Sequence, residues 1–234
     1  MTKPIAVIVG VGDGLSASLA RKLAPDHRLV LAARTGARMA GVAAETGART
    51  VAMDASDPAQ MAALFDGLDA APRVAIYNPS ARVRSPLIEL DPETVRKAVE
   101  VTAFGAFLMG QAAARAMLAA EPQDGTRGTI LFTGASAGVK GFPQSASFAM
   151  GKFAQRGLAQ SMARELHPQG IHVAWINIDG GIRNPSRPER IDPPGNPDAM
   201  LDPDAIADTY LHLIAQHRSA WTEEVAVRPW VERF

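Results

Sequence analysis

The chain has 234 residues, long enough for one substantial domain with a full core. Its 24 basic and 24 acidic residues cancel, so net charge draws it neither to nucleic acid nor to an anionic membrane. It contains no cysteine, which excludes disulfides and thiolate metal sites.

Apolar runs alternate with helical patterns along the chain. Residues 5–9 (IAVIV) read as a buried strand, followed by a glycine turn and a helix over 15–24. A strand at 28–33, a helix near 36–46, a short strand at 49–53, a helix at 58–69 and a strand at 73–77 come next. A long helix over about 92–120 leads to a strand at 128–133. A second long helix spans about 145–166, followed by a strand at 171–177. A helix near 203–217 and a strand at 223–228 complete the pattern. Short, uninterrupted apolar strands separated by helices predict a parallel sheet covered on both faces. Right-handed crossovers make it doubly wound. The expected fold is α/β, one domain over 1–234, with a parallel sheet of about seven strands.

One stretch breaks the regularity. Residues 183–203 hold six prolines and few apolar residues, so they are not expected to pack as a helix or strand. The segment follows the C-terminal end of a strand, where open α/β sheets bind ligands. It reads as a lid over a site, with a surface loop as the bland alternative.

The histidines, His27, His167, His172, His212 and His217, show no HxxxH or HExxH spacing. No metal site is expected from them. No apolar run is expected to reach the roughly 18 residues needed to span a bilayer. The amino terminus MTKPIAVIVG runs directly into a strand and does not look like a signal peptide. These features predict a cytoplasmic chain that binds a small molecule or another copy of itself.

The first strand ends in Gly10, Gly12 and Gly14, with Leu15 opening the next helix. Glycine permits positive φ and a close backbone approach, and the helix start directs free N–H groups and partial positive charge at the turn. This is a site for a dinucleotide pyrophosphate, in the strand–turn–helix context that strengthens the signal. Ser16 would bond a phosphate oxygen or cap the helix. At the end of the second strand, an arginine accommodates a 2′-phosphate where an acid would hold the ribose 2′-OH. Arg34 stands there, with Arg38 one helical turn later, and points to NADP(H). After the third strand, Asp54 and Ala55 stand where an adenine ring would lie. Asp54 would accept from the adenine amino group or cap the following helix.

These residues, in this order, resemble the short-chain dehydrogenase/reductase family, over nearly the whole chain. GVGDGLS is similar to that family's TGxxxGxG turn, and Asn78-Pro79-Ser80-Ala81 to its NNAG motif. GTILFTGASAG looks like its serine-bearing fifth strand, and SFAMGK like its YxxxK helix. Asp179-Gly180-Gly181-Ile182 stands where the family has PGxI, the loop that meets the nicotinamide amide. The tail SAWTEEVAVRPWVERF departs from the family's usual ending. The resemblance implies a Rossmann fold, a nicotinamide cofactor held also by Asn78, Gly180 and Ile182, and a small-molecule substrate. It also implies a homodimer or homotetramer formed through the helices at 92–120 and 145–166.

The departures fall on the chemistry. The family's asparagine, serine, tyrosine and lysine align with Thr102, Ala135, Phe148 and Lys152, so only the lysine is kept. A positioned general acid typically contributes about 10²–10⁴-fold, and phenylalanine has no proton to give. Phe148 then reads as a core aromatic unless it stacks on substrate. Three groups could act in place of the hydroxyl. Ser136 could donate a hydrogen bond to a developing oxyanion. Asp179 could act as a partly desolvated acid, or cap the Gly181 and Ile182 amides. Lys152 could act directly or through water, beside its expected hold on the nicotinamide ribose. Tyr77 reads as structural, turned away by strand alternation. An iminium, an activated enone or a strongly polarised aldehyde would need less acid help. The leading expectation is an oxidoreductase acting on a small carbonyl, imine or activated alkene with a non-standard catalytic set. The alternative is a dinucleotide-binding sensor or partner subunit with little or no turnover.

Overall fold

The computed structural model describes residues 2–184 and 186–231. The sheet strands are β1 (Ile5–Val9), β2 (Arg28–Ala33), β3 (Arg49–Ala52), β4 (Pro72–Tyr77), β5 (Gly128–Thr133), β6 (Ile171–Ile178) and β7 (Glu224–Val227). The helices are α1 (Leu15–Leu23), α2 (Ala37–Thr46), α3 (Pro58–Asp66), α4 (Pro92–Val99), α5 (Gly105–Ala119), α6 (Ala146–Leu166) and α7 (Pro203–Ala215). All seven strands are parallel, in the order β3-β2-β1-β4-β5-β6-β7. The order reverses between β1 and β4. That reversal is the topological switch point, and a crevice opens there at the carboxyl ends of the strands.

Why the strands read as unbroken apolar runs is clear from the packing. One face of the sheet, with Val7, Tyr77, Phe132 and Trp175, packs under α3, α5 and α6. The other, with Ile8, Leu31, Ile76 and Ile176, packs under α1, α2 and α7. Both faces are buried, so alternation disappears. Three helices begin at an Asp-Pro pair, α3 at Asp57-Pro58, α4 at Asp91-Pro92 and α7 at Asp202-Pro203. In each, the aspartate accepts from N–H groups of the first turn and the proline occupies a position whose N–H would be spare.

Between α4 and α5 the backbone forms a π-turn over Glu100–Phe104. The combined helix Pro92–Ala119 is long and apolar enough to cross a membrane by length and composition, although Thr102, Gln111 and Arg115 interrupt its apolar run. In the fold its buried residues, Ala98, Thr102, Ala106, Met109, Ala113 and Met117, form a core-helix face.

The proline-rich segment is more ordered than its composition predicts. Arg183 binds Asp192, Asp198 and Asp202 at 2.9, 2.8 and 2.9 Å. Ile182 and Leu201 form a parallel bridge, and Pro188–Arg190 make a 3-10 turn. One cation holding three carboxylates ties both ends of the loop to its middle. Pro185 of this segment and residues 232–234 of the tail lie outside the described residues.

Candidate active site

The glycine turn is braced from below. Gly10 has φ 86°, and its N–H and that of Val11 both donate to the Ala32 carbonyl, at 2.8 and 3.1 Å. A Cβ on Gly10 would stand 2.6 Å from Pro79, so backbone conformation and the neighbouring loop both require glycine. Ser16 Oγ donates to the Gly10 carbonyl at 3.0 Å. Asn78 Nδ2 donates to the same carbonyl at 3.3 Å and to Ser16 Oγ. Ser16 is buried and braces the turn, and it does not cap α1, which removes one of the two roles expected of it. The Leu15 side chain is in the core, and its N–H is among those that helix geometry leaves without an acceptor. Gly12 faces open space, with nothing within 4 Å of where a Cβ would stand. Asn184 of the proline-rich segment reaches over Gly14, its Nδ2 3.6 Å from the corresponding Cβ position.

Arg34 and Arg38 are exposed. Neither makes a hydrogen bond or ion pair among the described residues. Asp54 accepts from the Ser56 N–H at 2.9 Å and its hydroxyl at 2.6 Å. These bonds, with Arg34 nearby, hold its carboxyl below the usual range. Asp57, not Asp54, caps α3, which removes one of the two roles expected of Asp54. Ala55 is buried, and its carbonyl lies against Gly105.

On the β4–β5 side the polar side chains turn to the protein. Thr102 sits inside the π-turn, fully buried, and its Oγ1 accepts from the Ala81 N–H at 3.0 Å. Tyr77 is structural, as expected: its hydroxyl donates to the Val101 carbonyl. A Cβ on Gly151 would stand 2.7 Å from Thr102 Cβ, so the two residues fit as a pair. Lys152 is buried, and its Nζ donates to the Thr133 carbonyl at 2.5 Å and to Gln155 Oε1 at 3.2 Å. Burial lowers its pKa to about 7, because removing an ammonium from water favours the neutral amine. Gln155 also accepts from Trp175 Nε1 at 3.3 Å and donates to the Thr102 carbonyl at 3.2 Å. It is the hub that joins β6, the π-turn and the lysine. A glutamine inside a helical pattern carries no sequence signal for that role.

Ala135 is extended, and Ser136 opens a 3-10 turn over Ser136–Gly138. Ser136 is half-buried, and its carbonyl accepts from the Val139 and Lys140 N–H groups, both at 3.0 Å. Asp179 is buried with Arg228 3.6 Å from its carboxylate. It does not cap the Gly181 and Ile182 amides. Its own N–H donates to the Val227 carbonyl at 2.8 Å, so it closes the β6–β7 end of the sheet as a counter-ion. Gly180 has φ 158° and packs on Pro229, while Ile182 is engaged with Leu201.

Phe148 lies at the edge of the core rather than within it. It is half-buried, with the Arg82 guanidinium over its ring at 5.5 Å from the centroid. Lys152 Nζ is 6.0 Å from the same centroid. Ser147, before it, is fully buried; its hydroxyl accepts from the Val83 N–H at 3.2 Å and donates to the Val83 carbonyl at 3.3 Å. Thr102, Phe148, Lys152 and Gln155 thus come together with Arg82. Ser136 adjoins them through Gly138, whose added Cβ would stand 3.2 Å from the Lys152 carbonyl.

The sequence pattern of the short chain dehydrogenase family matches residues 4–186. L-2,3-butanediol dehydrogenase of Corynebacterium glutamicum is 28% identical over 184 residues, covering 72% of this chain and 68% of that protein. A 2,5-dichloro-2,5-cyclohexadiene-1,4-diol dehydrogenase of Sphingobium indicum is 31% identical over 62% of this chain, a match that spans only 53% of that protein. Among solved structures, a short-chain dehydrogenase from Rhodopseudomonas palustris is 34% identical, with a TM-score of 0.80 over 97% of this chain and 99% of that one. A metagenomic short-chain oxidoreductase in complex with NADP is 28% identical, with a TM-score of 0.82 over 99% of both chains. The chain belongs to the short-chain dehydrogenase family.

Proposed function

We propose that the protein is an NADP(H)-dependent oxidoreductase acting on a small carbonyl, imine or activated alkene, with a catalytic set that lacks the tyrosine hydroxyl. The observation that carries the cofactor reading is the pairing of an open glycine turn with two exposed arginines that make no hydrogen bond or ion pair among the described residues. At Gly12 the turn is open, with nothing within 4 Å of where a Cβ would stand. Cations without acceptors stand at the end of β2, where a 2′-phosphate would lie. The NADP complex of the metagenomic relative agrees with this reading. NADPH supplies the hydride when bound.

In this reading Gly10, Gly12, Gly14 and the Leu15 N–H take the pyrophosphate. Arg34 takes the 2′-phosphate, and Asp54 and Ala55 flank the adenine. Asn78 keeps the turn in shape. Gly180 and Ile182 border the nicotinamide. Lys152 swings from the Thr133 carbonyl toward the ribose, or stays as a near-neutral amine beside Phe148. Ser136 is the hydroxyl that polarises substrate, and Asp179 serves as a counter-ion near the pocket. The segment 183–203 covers the site, with Asn184 already above Gly14.

A second reading, a dinucleotide-binding sensor or partner subunit with little turnover, is favoured by one feature. The hydroxyls of Thr102 and Ser147 and the amine of Lys152 are all bound to the protein itself. One experiment separates the two. NADPH binding is titrated, and NADPH absorbance is then followed against aldehydes, ketones, imines and enones. Turnover is the expected result; binding without turnover selects the second reading, and no binding overturns both.

The assembly follows from exposed apolar side chains on the two long helices. Phe104 and Phe107 stack with centroids 6.0 Å apart, and Met150 and Phe153 are exposed on α6. Such a patch favours burial against a second copy, as a homodimer or homotetramer. Sedimentation at micromolar concentration tests this, and a monomer would overturn it.

A further inference from the structure

Phe148 leaves a gap in the chemistry, and a cation stands over it. Arg82 is exposed, and among the described residues it makes no hydrogen bond or ion pair, only a contact with the Phe148 ring. Its five N–H donors therefore have no protein acceptor there. A cation on an aromatic face gains only about 0.5–1 kcal/mol at an exposed site, too little to hold a long side chain by itself.

The backbone on either side of Arg82 is nonetheless fixed. The Ala81 N–H is held by Thr102 Oγ1 at 3.0 Å, and the Val83 N–H by Ser147 Oγ at 3.2 Å. Both hydroxyls are fully buried. One comes from the π-turn and the other from the residue before Phe148. Two buried side chains from separate helices clamp an irregular loop at the neighbours of a single arginine. That arrangement fixes the backbone from which the guanidinium reaches, while leaving its donors free.

We propose that Arg82 is a catalytic residue that binds the developing oxyanion of the substrate, in place of the missing hydroxyl, with Thr102 and Ser147 as its positioning residues. The inference rests on the oxidoreductase reading above. In carbonyl reduction the carbon gains a hydride from the reduced nicotinamide, the π electron pair moves to oxygen, and the alkoxide takes a proton from water, leaving hydroxide. The residue at 148 need not supply that proton if the alkoxide is stabilised long enough to meet water. A guanidinium suits the task because it is always charged and presents its donors in a rigid fork. Losing one preorganised oxyanion donor typically costs about 10²–10³-fold in kcat.

The test uses the whole protein, with 4-nitrobenzaldehyde as an electron-poor substrate and 4-nitrobenzoate as an inert anion presented at the same position. In Arg82→Gln, kcat is expected to fall by about 10²-fold with the NADPH Kd unchanged. 4-Nitrobenzoate binding in the presence of NADP, read by calorimetry, is expected to weaken at least tenfold. Adding Phe148→Tyr to Arg82→Gln is expected to restore kcat, because the hydroxyl then serves the same oxygen. Arg82→Lys should keep part of both signals. Unchanged kcat in Arg82→Gln, or a double variant that stays as slow as Arg82→Gln, overturns the proposal while leaving the oxidoreductase reading intact. If the wild type binds NADPH without turning over, the oxidoreductase reading fails by itself. The benzoate titration then decides the anion site: weaker binding in Arg82→Gln upholds it, and equal binding overturns it.

Discussion

The β1–β2 rim of the crevice and the β4–β5 rim use polar side chains in opposite ways. On the first, Arg34 and Arg38 face solvent without a hydrogen-bond or ion-pair partner among the described residues, and the ground around Gly12 is open. On the second, Thr102, Ser147 and Lys152 are buried and bonded to the backbone of Ala81, Val83 and Thr133. Unpaired cations beside an open turn are cheap only in water and gain most from an anionic ligand. Buried hydroxyls must be paired somewhere, and here the fold supplies the partners. A residue type in a family position therefore says little until its partner is known.

The largest effect expected on this contrast comes from Lys152. The folded state gives up its proton at about pH 7, whereas the unfolded chain keeps it to an ordinary lysine value. Between those points the unfolded state binds more protons, so stability should rise with pH. The burial penalty is complete below pH 7 and relieved as pH approaches 10.5. Its span is at most about 5 kcal/mol, at roughly 1.4 kcal/mol per pH unit. Denaturant unfolding from pH 6.5 to 10 should show that rise in the wild type and a flatter curve in Lys152→Met. Equal slopes would mean that the amine is not held out of water.

Arg34 gives the next effect, on the opposite rim. Arg34→Ala should weaken NADPH binding by about 10–100-fold, as expected for a charged hydrogen-bond partner, and leave NADH binding nearly unchanged. If both fall together, the arginine shapes the turn rather than reading a phosphate, and the contrast between the rims narrows. Ser147→Ala is the smallest of the three. Losing the hydroxyl that bonds the Val83 N–H and carbonyl should cost about 1 kcal/mol, measured by denaturant midpoint. No change would show that the loop finds another anchor.

Much of the fold is legible from the residues alone. Strands buried on both faces must read as continuous apolar runs, and the Asp-Pro pairs mark helix starts by chemistry local to each site. The glycine turn is legible because its backbone needs are local too. The reaction side is not. Gln155 looks like any helix surface residue, yet it joins Lys152, Trp175 and the Thr102 carbonyl across three elements. Arg82 stands in a loop without periodicity, and its position depends on two hydroxyls distant in sequence. Ser16 and Asp54 are each open to a capping role by residue type, and only the structure shows that Ser16 braces the turn while Asp57 caps α3. The ordered state of 183–203 depends on three aspartates finding one arginine, a pattern invisible to counts of proline.

The π-turn at Glu100–Phe104 carries a consequence of phase. An α-helix advances about 100° per residue, so one wider turn offsets everything after it by an angle that no side chain can undo. α4 and α5 therefore dock with different clock positions, and Tyr77 and Gln155 attend to the carbonyls of Val101 and Thr102 within the offset. The shape of this wall is written in backbone register as well as in its side chains. The Thr102 side chain serves that geometry too, its Oγ1 holding the Ala81 N–H and its Cβ fitting against Gly151. The wall is inherited as architecture, and the chemistry mounted on it is free to drift.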